Sequence, residues 1–159
     1  MKRILMCVLS FTLCLALLFS FTACKQDSSA AGSIEGELRD IMDSIYENAG
    51  VEYPMHAESY LTDENVVYNI GTADVKYSEG IVSDAAIMTI PHSLVLIRAK
   101  SGSDIEKAKQ NIRENIDPRK WICAGVEQEN VIVDSIGDLI FVVMSENASA
   151  YHSSFLSLA

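Results

Sequence analysis

The chain has 159 residues, 49% of them hydrophobic, and its 22 Asp+Glu against 12 Lys+Arg give a formal charge of −10. That excess of carboxylates repels nucleic-acid phosphates and anionic lipid headgroups, which excludes nucleic acid as a partner and excludes a body that lies flat on a bilayer. The length suits one ordinary domain, able to bury a core without disulfide or metal staples.

The chain opens on Lys2-Arg3, continues through an uncharged apolar run from Ile4 to Phe21, and reaches Phe21-Thr22-Ala23-Cys24. Charged start, apolar centre and small residue before a cut are the parts of a secretory signal. The Cys after Ala23 resembles the lipobox of bacterial lipoproteins, which are cleaved before that Cys and acylated on it. The resemblance implies a signal peptide over 1–23, acyl chains such as palmitate on Cys24, and a lipid-anchored protein on the extracytoplasmic side of the cell membrane. The rival is an uncleaved membrane helix, since Ile4 to Phe21 is 18 residues and just spans a hydrocarbon core. Ser10, Thr12, Ser20, Thr22 and above all Cys24 favour the signal. Cleavage leaves 136 residues with 10 Lys+Arg against 22 Asp+Glu, a formal charge of −12. Cys7 and Cys14 leave with the signal, so Cys123 is the only thiol remaining beside Cys24, and no intramolecular disulfide is available.

Residues 24–33 are small and polar, with nothing to bury, and read as a flexible tether reaching at most about 30 Å. Ile34, Leu38, Ile41, Ile45 and Tyr46 recur at helical spacing, which predicts a helix from Ile34 to Asn48 with Ser33 as N-cap and Gly50 as stop. A loop through Val51 to Met55 follows. Thr62-Asp63-Glu64 opens a second helix closing at Gly71, and Asp74 to Glu79 is read as one more turn. Asp63-Glu64-Asn65 lacks the bidentate Glu and oxygen spacing of a calcium loop, so it reads as an acidic helix start.

Ala85 to Ile90 and Ser93 to Lys100 are predicted as strands about a break at Pro91-His92, the second apolar on both faces until Arg98. Ser103 with Glu106 forms a capping box for a helix with Ile105, Ala108, Ile112 and Ile116 inward, ended by Pro118. Val131 to Val133 and Leu139 to Met144 flank Gly137-Asp138, a pair suited to a tight hairpin turn. A last helix over Ala148 to Leu158 turns Tyr151, Phe155 and Leu158 inward. The expectation is one α+β domain over 34–159: a largely antiparallel four-stranded sheet (strand-strand-helix-strand-strand) packed by N-terminal, central and C-terminal helices.

The order Leu61 before Tyr68-Asn69-Ile70, Leu94 to Lys100 feeding the Ile105 to Ile116 helix, and Gly137-Asp138-Leu139 leading into Ile140 to Val143 resembles a bacterial lipoprotein family. That family carries the domain of unknown function numbered 4358 and is found in Gram-positive anaerobes. The resemblance spans Leu38 to Met144, rests on core and turn positions, and implies a fold without implying a catalytic residue, metal or cofactor.

Chemistry-bearing motifs are sparse. The chain lacks a Gly-x-Ser-x-Gly elbow, a phosphate loop, a His-Glu-x-x-His and a Cys-x-x-Cys. His56, His92 and His152 are scattered over a loop, a turn and the last helix, and read as solvated side chains unless the fold gathers them. Cys123, in Trp121-Ile122-Cys123-Ala124, reads as a buried packing residue. Arg119-Lys120-Trp121 stands out as a possible contact site because it joins two cations to the only Trp. The favoured reading makes Trp121 a core plug and the cations partners of a helix C-terminus. The function expected is a non-catalytic interaction module, membrane-tethered through Cys24, that meets an envelope protein. The alternatives are a small-ligand-binding lipoprotein and a hydrolase-like enzyme.

Overall fold

A computed structural model describes residues 33–159; the signal, Cys24 and the tether before Ser33 lie outside the described residues. Over the described residues the fold is α+β, an open antiparallel sheet with four α-helices. The strands are β1 (His56–Tyr60), β2 (Tyr77–Ala85), β3 (His92–Ala99), β4 (Val131–Ile136) and β5 (Leu139–Ser145), lying in the order β1-β2-β3-β5-β4. The helices are α1 (Leu38–Asn48), α2 (Val66–Ile70), α3 (Ile105–Asn115) and α4 (Ala148–Leu156). Among the described residues no helix is long and apolar enough to cross a membrane.

Two cores follow from the period-2 alternation of the central strands. Leu94, Leu96, Phe141 and Val143 turn toward α1 and α4, where they meet Met42, Ile45 and Phe155. Val95, Ile97, Ile140 and Val142 turn the other way, onto Ile70, Ile112 and Trp121. Helices on both faces explain why β3 and β5 are apolar throughout.

The sheet has five strands, not four. The missed strand, β1, reads His-Ala-Glu-Ser-Tyr and lies on the sheet edge, where one neighbour suffices and no apolar alternation is required. The strand predicted at Ala85 to Ile90 is displaced: β2 ends at Ala85, and residues 86–91 form the turn into β3. The expected helical turn at Asp74 to Glu79 instead runs into β2, whose Ser78, Glu79, Gly80, Ser83 and Asp84 hide its pattern.

Helix starts also shift. Gly36 holds φ +118, which no helix accommodates, so α1 begins at Leu38 and Ser33 bonds Glu35 instead of capping. The Arg98 guanidinium, at the far end of β3, donates to the carbonyls of Ile34 (3.0 Å) and Gly36 (2.9 Å) and so ties down the entering chain. α3 is capped by Asp104, whose carboxylate accepts from Lys107 N at 3.0 Å, while Ser103 Oγ donates to the Lys76 carbonyl. Both are good capping residues, and the helix begins one position later than the box implied. Gly71 closes α2 at φ +79, and a Cβ there would stand 2.2 Å from the Asn115 backbone, so only glycine lets α2 abut the end of α3. The Gly137-Asp138 turn joins β4 to β5 as expected, with Ile136 opposite Leu139.

Candidate functional site

One end of the sheet gathers the polar side chains that a buried strand would not otherwise carry. It is formed by the ends of β2 and β5 and the starts of β3 and α4, with the end of α1 above. Ser83 and Asp84 close β2, His92 and Ser93 open β3, and their register sets Asp84 opposite Ser93 and His92 opposite Ser145. Neighbouring residues on a strand point to opposite faces, so two polar clusters arise, one on each side of the sheet.

On the α1 face, the Tyr46 hydroxyl sits 2.7 Å from His92 Nε2 and 2.8 Å from Ser83 Oγ, and His92 Nδ1 is 3.1 Å from Ser145 Oγ. The His56 ring stacks on Tyr46 at 4.6 Å between centroids, and Tyr151 meets both Tyr46 and His92 edge-on. Burial, aided by the nearby His56, lowers His92 to about 4 against the pull of Asp84, with Lys120 lowering it further. The imidazole is therefore neutral at physiological pH. Burial likewise raises the Tyr46 phenol well above its ordinary value, despite its bond to Ser83.

On the opposite face, Lys120 Nζ is enclosed by Asn69 Oδ1 (3.0 Å), Ser93 Oγ (3.0 Å) and Asp84 Oδ1 (3.1 Å). Its side chain is only 2% exposed. Burial lowers its pKa, opposed by Asp84, and the Tyr68 and Trp121 rings lie 4.8 and 5.4 Å from the ammonium.

The sequence-predicted residues separate accordingly. Trp121 is buried in the core, as the core-plug reading required, while Arg119 is exposed. Lys120 does not complement a helix end; it is the buried counter-ion of Asp84. Cys123 is exposed, at φ +58, and corrects the expectation of a packing residue: the loop turns at this position and sends the chain's next apolar anchor to Val126. His56 and His92, read as scattered, both touch Tyr46; α1 crosses the sheet and supplies the bridge. His152 stays apart and bonds Asp134 at 2.8 Å. Among the described residues no group of three or more His, Cys, Asp or Glu is arranged to hold a metal.

Ser145 and His92 do not make an acyl-transfer pair. Both ring nitrogens are engaged, Nε2 by a phenol and not a carboxylate, and a ring held near 4 is a weak base. The cluster secures an end of the molecule whose outer surface is the unusual part. Tyr53, Met55, Ile87, Met88 and Ile90 are all exposed there, Met55 by 80% and Ile87 by 55%. The two loops that carry them are joined by Ala86 N donating to the Met55 carbonyl at 2.8 Å.

Comparison with family models, curated proteins and solved structures finds no match to this chain.

Proposed function

We propose that this protein is a lipid-anchored extracytoplasmic interaction module, attached to the membrane through Cys24, whose contact surface for an envelope protein is the apolar tip of Tyr53, Met55, Ile87, Met88 and Ile90. The observation that carries the reading is that tip: five large apolar side chains exposed on two adjoining loops, above the hydrogen-bonded Tyr46, Ser83, His92 and Ser145. Clusters of exposed apolar groups mark interaction sites, and the other exposed large apolar residues, Tyr60, Val67, Tyr68, Ile122 and Leu156, are spread over β1, α2, the loop after α3 and α4.

The direction of the sheet supports a protein partner over the bilayer. The chain enters beside Arg98, and the tip adjoins His92, six residues back along β3, roughly 20 Å away. The described chain therefore begins at the end of the sheet away from the tip. The acidic surface adds repulsion from anionic headgroups. The resemblance to a lipoprotein family carrying the domain of unknown function numbered 4358 belongs to the same proposal.

The test is site-specific photo-cross-linking in the cells that make the protein, with the probe at Met55 or Ile87 and a control at exposed Lys107 on α3. The expected outcome is a discrete protein adduct from the two tip positions, lost when Met88 is changed to Asp. Adducts of equal yield from Lys107, or none from the tip, would overturn the proposal.

A further inference from the structure

A pocket of about 240 Å³ opens at the base of the tip, walled by Pro54, Ile90 and Pro91 on its apolar side and by His92, Ser145, Glu146 and Tyr151 among its polar residues. It lies below the size of a drug-like ligand site and suits one long side chain. Tyr151 is fully buried, yet its hydroxyl has no hydrogen-bond partner among the described residues. Native structures rarely leave such a group unpaired without a use.

The wall chemistry selects the guest. His92 has both ring nitrogens occupied, and Ser145 Oγ is shared between His92 and the Asn147 N–H. What remains without a partner among the described residues is Tyr151 Oη, the Thr89 hydroxyl and the Asn147 side-chain amide, which accept as well as donate, and the exposed Glu146 carboxylate, which is the one charged group on the wall and joins no ion pair among the described residues. Among the described residues no Lys or Arg lines the pocket, and the Ala148 and Ser149 N–H groups that open α4 are not part of its wall. An anionic guest would meet Glu146 with no cation to offset it, and a purely apolar guest would leave the Tyr151 hydroxyl unpaired. A Lys or Arg side chain satisfies every part: its alkyl stem lies along Pro54, Ile90 and Pro91, and its charged head donates to Tyr151 and Glu146.

We infer that this pocket receives a basic side chain of the partner polypeptide, set among apolar residues that cover the tip. The inference rests on the interaction-module reading and adds the partner's chemistry to it.

The test titrates the full-length protein in detergent micelles with three synthetic peptides, acetyl-Leu-Gly-X-Gly-Leu-amide, where X is arginine, norleucine or glutamate, while amide NMR shifts of Ile87, Ile90, Glu146 and Tyr151 are followed. The arginine peptide should bind about tenfold more tightly than the norleucine peptide, as expected for one charge-assisted hydrogen bond. Tyr151→Phe and Glu146→Gln, each checked for an intact fold by its melting curve, should reduce the arginine peptide to the norleucine level. Equal binding of arginine and norleucine peptides at the tip would overturn the basic-guest assignment and leave the apolar tip standing. Preference for the glutamate peptide, or an arginine preference untouched by both variants, would also overturn it. Shifts at the tip from none of the peptides would overturn both readings.

Discussion

Tyr46 Oη lies 2.7 Å from His92 Nε2 and so fastens the last full turn of α1 to the first residue of the central strand β3, across 46 positions of sequence. The bond works with a neutral imidazole, which makes the fold's stability depend on pH. His92 has an ordinary value of 6.5 when unfolded and about 4 when folded, because of burial first and then His56, with Asp84 opposing and Lys120 reinforcing. Below pH 6.5 the unfolded chain takes up a proton that the folded one refuses. Stability from this residue is thus complete above 6.5 and declines as pH falls toward 4, by up to about 3 kcal/mol. Urea unfolding at a series of pH values should give a falling midpoint over that window, and His92→Gln should flatten the slope; an equal slope in the variant would refute the assignment.

Lys120 and Asp84 should prove strongly coupled. Lys120→Met leaves Asp84, Asn69 and Ser93 without their shared donor, and is expected to cost about 2–3 kcal/mol, tempered because Asp84 is partly exposed. Asp84→Asn in the Lys120→Met background should cost much less than in the parent. Additive losses in a double-mutant cycle by chemical denaturation would mean the two charges act independently.

Trp121 is expected to be a stability residue. It is 6% exposed, and truncating a buried aromatic to Ala typically costs about 3–5 kcal/mol. The parent's emission, from its one Trp, should be blue-shifted and Trp121→Ala should unfold at far lower denaturant. A red emission maximum with unchanged stability would contradict the packing described here.

Cys123 should react readily in the folded protein, because its side chain is exposed. Iodoacetamide should label it at a rate close to that of the urea-unfolded chain. Its φ of +58 also makes Cys123→Gly neutral or stabilising by up to about 1 kcal/mol. Strong protection from alkylation would contradict the exposed loop.

Cys24→Ala should abolish lipid attachment, since acylation needs that sulfur and stable anchoring needs more than one acyl chain. Intact-mass spectrometry of membrane and soluble fractions reads the result directly. Lipid still carried by the variant would remove the basis for an anchored protein.

Much of the fold is legible in the residues themselves where burial is one-sided or complete. The helical spacing of Leu38, Ile41, Ile45 and Tyr46, the α3 stripe of Ala108, Ile112 and Ile116, the apolar run of β3 and the Gly137-Asp138 turn each reflect a local demand of period, cap or turn, which a sequence records. The start at Lys2-Arg3 and the Cys24 motif are equally local, and the expectation of an anchor rests on them alone. Other features are decided only in three dimensions. β1 has an edge position and so needs no apolar pattern, while β2 spends Ser83 and Asp84 on partners in α1 and in the loop after α3. The strand expected over Ala85 to Ile90 ends at Ala85, and Ala86 to Ile90 is an exposed turn. His92, Tyr46 and Ser145 become one network, and Lys120 a buried counter-ion, because α1 and the loop after α3 cross opposite faces of the same sheet end. Hydrogen bonds and ion pairs between distant residues leave no periodicity behind, so the tip, its pocket and the unpaired Tyr151 hydroxyl follow from tertiary packing alone.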